Sequence, residues 1–260
     1  MSIKLEKIKE ERKKNKLVLL LKGSKEVFAN TIRRMIIEEV PTLAVEDLEI
    51  KENSSALYDE MLGLRLGLIP IKTDLKSYNL KSNCKCNGEG CAQCELKITL
   101  KASKKGYVYA GEAQSADPKC SFVYEKMPVT KLLSKQKVDV TMTAVLGRGK
   151  DHAKWSSGLA FFKKEPILTV DKVKNPELLK ANCTDGVFEF KGSSVKADQE
   201  KVYESNLLEY YAELDSGVHL KYGDNLIFTV ESWGQLTTKE MLTKSAEILV
   251  AKAEEMEKLL

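Results

Sequence analysis

The sequence predicts an α+β chain in which pieces from both ends form one small discontinuous domain around an inserted, mostly antiparallel β-rich middle. Three observations carry that expectation. Amphipathic helical stripes lie at opposite ends of the chain, the middle alternates apolar and polar residues as strands do, and a cysteine-rich loop interrupts that middle.

From Ile3 to Leu21 two apolar-rich segments, IKLEKI and KLVLLLKG, flank the polar run KEERKKNK and read as a β-hairpin. In VFANTIRRMIIEEVP, Phe28, Ile32, Met35, Ile36 and Val40 form the stripe of an amphipathic helix over 28–40. Pro41 ends it, because the residue before a proline is pushed out of the α region. LAVEDLEIKEN reads as a strand. SSALYDEMLGLRLGLIP reads as a second helix, with Leu57, Met61, Leu64 and Leu68 on its apolar face and Ser54 or Ser55 as its cap.

Beyond the cysteines, LKITLKA, YVYAGEA and VDVTMTAVLG alternate as antiparallel strands with one solvated face. Residues 165–222 are short, polar and weakly periodic. Then GDNLIFTVESWG is a strand with Leu226, Phe228 and Val230 on one face. A last helix starts at the capping-box pair Thr237 and Glu240 and carries Leu242, Ala246, Leu249, Ala253, Met256 and Leu260 at heptad spacing. No adjacent helix offers this seam a hairpin partner, so it meets the 28–40 helix, another polypeptide, or both.

At 260 residues the chain has length for about two domains. Its 43% hydrophobic and 31% charged residues suit a soluble protein, and no window approaches the roughly 20 apolar residues of a membrane span. Charge mixed through MSIKLEKIKEERKK argues against a secretory signal, so a reducing, cytoplasmic compartment is expected. The net charge of +4 comes from 42 basic and 38 acidic residues without a basic arm, which supports nucleic-acid binding weakly and protein partners better.

Cys84, Cys86, Cys91 and Cys94, in CKCNGEGCAQC, have the spacing C-x-C-x4-C-x2-C. Four thiolates on a loop with Gly88 and Gly90 for tight backbone angles can surround a tetrahedral ion, and zinc fits best. Iron–sulfur ligation, which also uses four thiolates, is the alternative. A closed shell leaves no position for substrate, so the site is structural rather than catalytic. Cys120 and Cys183 stand alone and read as small hydrophobes.

The stretch LGRGKDHAKWSSG gathers Arg148, Lys150, His152, Lys154 and Trp155, readable as a phosphate contact, a protein-docking loop or a solvated loop; it lacks the order of a P-loop. Neither His152 nor His219 sits in a pattern suited to nucleophilic or general-base work, so no catalytic residue is expected. Arg33 and Arg34 point about 100° apart on their helix, so one reaches a partner unless both are snorkelling surface arginines.

Taken together, FANTIRRMIIEEVPTLAVEDLEI, NSSALYDEMLGLRLGLIPIKT, the cysteine loop and SADPKCSFVYEKMPVTKLLSKQKVDVTMTAVLGRGKDHAKWS resemble the D subunit of archaeal DNA-directed RNA polymerase. That family is the counterpart of the bacterial alpha subunit's N-terminal region and of the third-largest subunit of eukaryotic polymerase II. The resemblance implies a dimerisation domain from 1–42 and 223–260, an inserted β-rich domain at 43–165, and a degenerate ferredoxin-like segment at 166–222.

It further implies a non-catalytic assembly platform that heterodimerises with the small L subunit. Phe28, Asn30, Ile32, Arg33, Arg34 and Ile36 would join the C-terminal residues Leu242, Ala246, Leu249, Ala253 and Met256 at subunit interfaces. The paired arginines and the 147–155 loop would meet the second-largest catalytic subunit, small assembly subunits would complete the complex, and DNA and RNA would be met only through it. Zinc at the four cysteines is implied as well.

Where relatives carry ferredoxin ligands this chain has Val202, Ser205, Leu208 and Ala212, with Cys183 alone remaining, so no iron–sulfur cluster is expected in 166–222. Leu64 stands where relatives often have histidine. The competing expectation, a zinc-binding nucleic-acid module, requires a basic face interleaved with aromatics around the cysteines, and none is legible there.

Overall fold

A computed structural model describes residues 3–191 and 194–260. Residues 1 and 2, in the expected terminal domain, and 192 and 193, in the expected ferredoxin-like segment, lie outside the described residues. The chain divides into two compact units. One holds the chain through Glu11, Leu17–Asn30 and Phe161–Thr229; the other holds Arg12–Lys16, Thr31–Ala160 and Val230–Leu260.

In the first unit, β1 (Lys4–Glu11) and β2 (Lys16–Lys22) are neighbours, as the hairpin pattern predicts. They belong to a four-stranded sheet of order β1-β2-β12-β9, with β9 spanning Gly158–Val170 and β12 spanning Val218–Ser232. Leu226 through Val230 are all buried, so β12 is covered on both faces there rather than on the single face that alternation suggests.

Residues 166–222 add a core of their own: α3 (Pro176–Asn182), the antiparallel pair β10 (Phe188–Lys191) and β11 (Ser194–Ala197), α4 (Gln199–Glu204) and α5 (Leu208–Leu214). Val202 and Leu208 sit in that core with Leu179, Val187, Phe188, Tyr211 and Val218. The Ser205 hydroxyl donates to Asp185, which also accepts from Tyr211 at 2.8 Å. Among these residues Val202 and Leu208 pack in the core, Ala212 lies against it, and the Ser205 hydroxyl is bonded to a carboxylate.

The second unit is organised on the antiparallel sheet β3-β8-β4-β6: β3 (Thr42–Asn53), β4 (Glu95–Ala102), β6 (Gln114–Ser115) and β8 (Val138–Gly147). A separate two-stranded ribbon pairs β5 (Gly106–Tyr109) with β7 (Pro128–Leu132). Leu43, Leu96, Ile98, Leu100, Val140 and Met142 from the sheet meet Leu62 and Leu66 of α2 (Asp59–Leu68) in one core.

The face of α2 differs from the sequence expectation. Leu62 and Leu66 are buried, whereas Met61, Leu64 and Leu68 are 38%, 54% and 54% exposed. Gly63 and Gly67 face β3, where a Cβ would meet Leu48 and the Val45 carbonyl at 3.7 Å, ordinary contact distance, and Leu62 and Leu66 beside them carry the burial. The helix also starts at Tyr58 with no side-chain cap, because Ser55 is engaged with Asn53 instead.

The first helix is α1 (Glu26–Arg34), continued by a π-helical turn, Met35–Glu39, that closes through the Val40 amide on the Met35 carbonyl at 3.1 Å. Val40 is extended (ψ 116°), as a residue before proline should be. The last helix, α6 (Thr238–Glu257), begins with the capping box expected of Thr237 and Glu240. No described helix is long and apolar enough to cross a membrane.

Candidate functional site

The loop between the 3-10 turn at Lys81–Asn83 and β4 brings four sulfurs together. Cys84 and Cys91 Sγ are 3.5 Å apart, Cys86 and Cys94 3.6 Å, Cys91 and Cys94 3.8 Å, and all four lie within 4.8 Å of one another. A tetrahedral ion with bonds of about 2.3 Å sets its ligand edges near 3.8 Å, so the donor set fits zinc in size and in chemistry. Gly88 and Gly90 hold φ of 87° and 98°, the left-handed turn that folds the two cysteine pairs onto each other.

The Cys91 amide points at Cys94 Sγ at 3.2 Å, a donor that stabilises thiolate charge. The Cys84 thiol and the Gly90 amide lower the Cys86 thiol to about 6, while burial pushes Cys94 up to about 12. Among the described residues no other group of three or more Cys, His, Asp or Glu converges in this way. All four positions are filled by sulfur, which leaves a bound ion no open site for a reacting molecule.

The second feature is carried by the π-helical turn. Glu39 is 6% exposed, and its Oε1 accepts from Lys252 of α6 at 2.7 Å and from Lys150 at 3.4 Å. Its Oε2 lies 3.6 Å from Arg148 and has no hydrogen bond among the described residues. Burial raises the Glu39 carboxyl, and Lys252 and Lys150 outweigh it, so the pKa falls below the ordinary carboxylate value. One buried carboxylate thus ties the 148–150 loop and α6 to the same turn.

Close packing fixes that loop as well. The Lys150 amide donates to the Glu38 carbonyl at 3.0 Å, and a Cβ on Gly149 would come within 2.0 Å of the Ile37 carbonyl oxygen. Sequence inspection passed over Glu39. Its signal was a carboxylate placed two residues before Pro41, inside an otherwise apolar helical stripe.

The basic loop is less open than its composition suggests. Trp155 is buried against Ala44 and Val145 and donates Nε1 to the Val145 carbonyl at 3.2 Å. Lys154 pairs with Glu46 and lies 4.4 Å from the Trp155 ring centroid, where Glu46 is the extra residue at a bulge between Val45 and Asp47. His152 accepts from the Lys154 amide and remains exposed. A cleft of about 560 Å³ beside them is lined by Lys81, Arg148, Lys150 and Trp155 among others.

On α6, Met241 and Ser245 are buried. The heptad seam lies on the adjoining face: Leu242 and Leu249 are half-buried, Ala246 and Ala253 are exposed, and Met256 is 65% exposed. On α1 and the turn, Ile36 is fully buried. Ile32 and Arg33 are half-buried, Phe28, Asn30 and Arg34 are exposed, and Arg34 forms an ion pair with Glu38 at 3.1 Å.

Residues 48–173 match the RNA polymerase Rpb3/RpoA insert domain. This places the β-rich middle in a class of domain inserted into polymerase subunits. Over the wider chain, the sequence is 35% identical to DNA-directed RNA polymerase subunit Rpo3 of Methanosarcina acetivorans, covering 88% of each chain. It is 34% identical to the same subunit from Archaeoglobus fulgidus over 96% of each, and 32% identical to that of Pyrococcus furiosus over 94% of this chain and 92% of the relative. The chain belongs to the Rpo3 family, the archaeal D subunits of DNA-directed RNA polymerase.

Proposed function

We propose that this chain is the non-catalytic assembly platform of its polymerase, working in the cytoplasm as a heterodimer with the small L subunit. Leu242, Ala246, Leu249, Ala253 and Met256 of α6 are the face for L, together with Phe28, Asn30, Ile32, Arg33 and Arg34 of α1, and Ile36 braces that helix from inside. In this reading the terminal elements are a discontinuous dimerisation domain, with the insert and the ferredoxin-like segment between them.

The observation that carries the reading is the α6 seam. A helix of 20 residues spends one face on its own unit and leaves a second apolar face only partly covered, with Met256 65% exposed, and such a seam gains stability against another surface. Arg148, Lys150, His152, Lys154 and Trp155 form the docking element for the second-largest catalytic subunit. Trp155 and Lys154 act as its internal anchors and His152 and Lys150 as its exposed tips. The four cysteines hold zinc, which supplies a cross-link and no chemistry.

Leu249→Asp and Met256→Asp test the seam. Each is expected to weaken association with L by about 2–4 kcal/mol in a pull-down titration while the isolated chain keeps its thermal midpoint. Full association in both variants would show that the seam faces elsewhere.

A further inference from the structure

The β5–β7 ribbon carries a surface that the assembly reading leaves unused. Val108, Val129 and Leu132 turn inward and are buried, and the opposite face presents Tyr107 (55% exposed), Tyr109 (40%) and, just past β7, Leu133 (55%). Tyr107 stands opposite Lys131 in the register, with the ammonium 5.1 Å from its ring centroid and the Tyr109 ring 6.1 Å from its own. Lys104, Lys105, Lys131 and Lys135 are exposed, and among the described residues none has a carboxylate within ion-pair distance.

The charge is concentrated here. Residues 101–137 contain eight lysines against three carboxylates, Glu112, Asp117 and Glu125; Lys101 and Lys119 pair with Asp139 and Asp74, and Lys104, Lys105, Lys131 and Lys135 remain beside the ribbon. In the chain, β4 lies between the cysteine loop and the ribbon.

We propose that this ribbon binds an extended acidic polypeptide segment bearing alternate apolar side chains. Two features select a peptide. The sheet has only two strands, so apart from the Pro128 carbonyl, taken by Arg65, and the Tyr109 amide, taken by Glu112, each strand has an outer edge that a peptide can match and a nucleic acid cannot. Tyr107 and Tyr109, two residues apart on one face, together with Leu133, make an apolar strip in register with alternate residues of such a strand. The lysines around it complement carboxylates and set the salt dependence.

The test uses the full chain and two fluorescent probes: a peptide of about 12 residues alternating Asp or Glu with Leu or Phe, and oligo-dT of similar contour length. Anisotropy is expected to show the peptide binding and weakening with added salt. Tyr107→Ser and Lys131→Glu should each weaken it by about tenfold or more, and Lys221→Glu, an exposed lysine of the other unit, should leave it unchanged. Both substituted side chains are solvent-facing, and unchanged thermal midpoints verify the fold. The proposal is overturned if neither probe binds, if both ribbon variants keep wild-type peptide affinity, or if oligo-dT binds through Tyr107 and Lys131 more tightly than the peptide.

Discussion

The cysteine loop and helix α6 each gather one kind of group, sulfur donors in the loop and apolar side chains on the helix, and the two differ in what they can hold. The loop brings four sulfurs within 4.8 Å, a donor set of the size that holds one tetrahedral ion. Helix α6 buries Met241 and Ser245 but leaves Met256 and Val250 65% and 56% exposed. A ligand shell saturates when its valence is met, so its effect stays local. An apolar helix face has no such limit, and under the platform reading it is covered by a second polypeptide.

That contrast predicts separable defects, the largest on the metal side. Stripping the ion with a chelator, or Cys94→Ser, is expected to destabilise the second unit by several kcal/mol, a fraction of the roughly 10–16 kcal/mol that structural zinc supplies to small fingers. Differential scanning calorimetry and metal analysis read it, with a colourless sample holding one zinc per chain expected before treatment. Brown, iron-bearing protein would contradict zinc.

Next in size, Leu62→Ala should cost about 2–5 kcal/mol in urea unfolding, because Leu62 is fully buried beneath β3. Leu64→Ala, on the exposed side of the same helix, should cost less than about 0.5 kcal/mol. Equal costs would show that the face carrying Leu62 and Leu66 is not the one that packs.

Glu39 gives the smallest effect and links loop to helix. Its pKa is depressed, so its stabilisation is present above the unfolded value near 4.5 and is lost as pH falls through the folded value. Glu39→Gln is expected to cost about 1–3 kcal/mol at neutral pH, since its cationic partners keep access to water, and to remove part of the acid-induced loss. A variant as acid-labile as wild type would detach Glu39 from that role.

Much of the architecture was legible because local chemistry and tertiary structure agreed. Pro41 marked the end of the first helical segment, Thr237 and Glu240 marked the start of α6, and C-x-C-x4-C-x2-C marked a loop whose sulfurs converge. Periodicity failed on α2 because two apolar faces compete on that helix, and the one carrying Leu62 and Leu66, rather than Met61, Leu64 and Leu68, turns to the core. It also missed the bulge that frees Glu46 for Lys154, and the convergence of Arg148, Lys150 and Lys252 on Glu39. Those partners are more than 100 residues apart in sequence, and no local pattern joins them.

The most direct measurement of the platform reading is co-expression with the L subunit followed by size-exclusion chromatography with light scattering. The expected result is a one-to-one heterodimer that persists on dilution, with the α6 amides protected from hydrogen exchange only in the complex. A chain that elutes as a well-behaved monomer, with α6 already protected and no L bound, would contradict it.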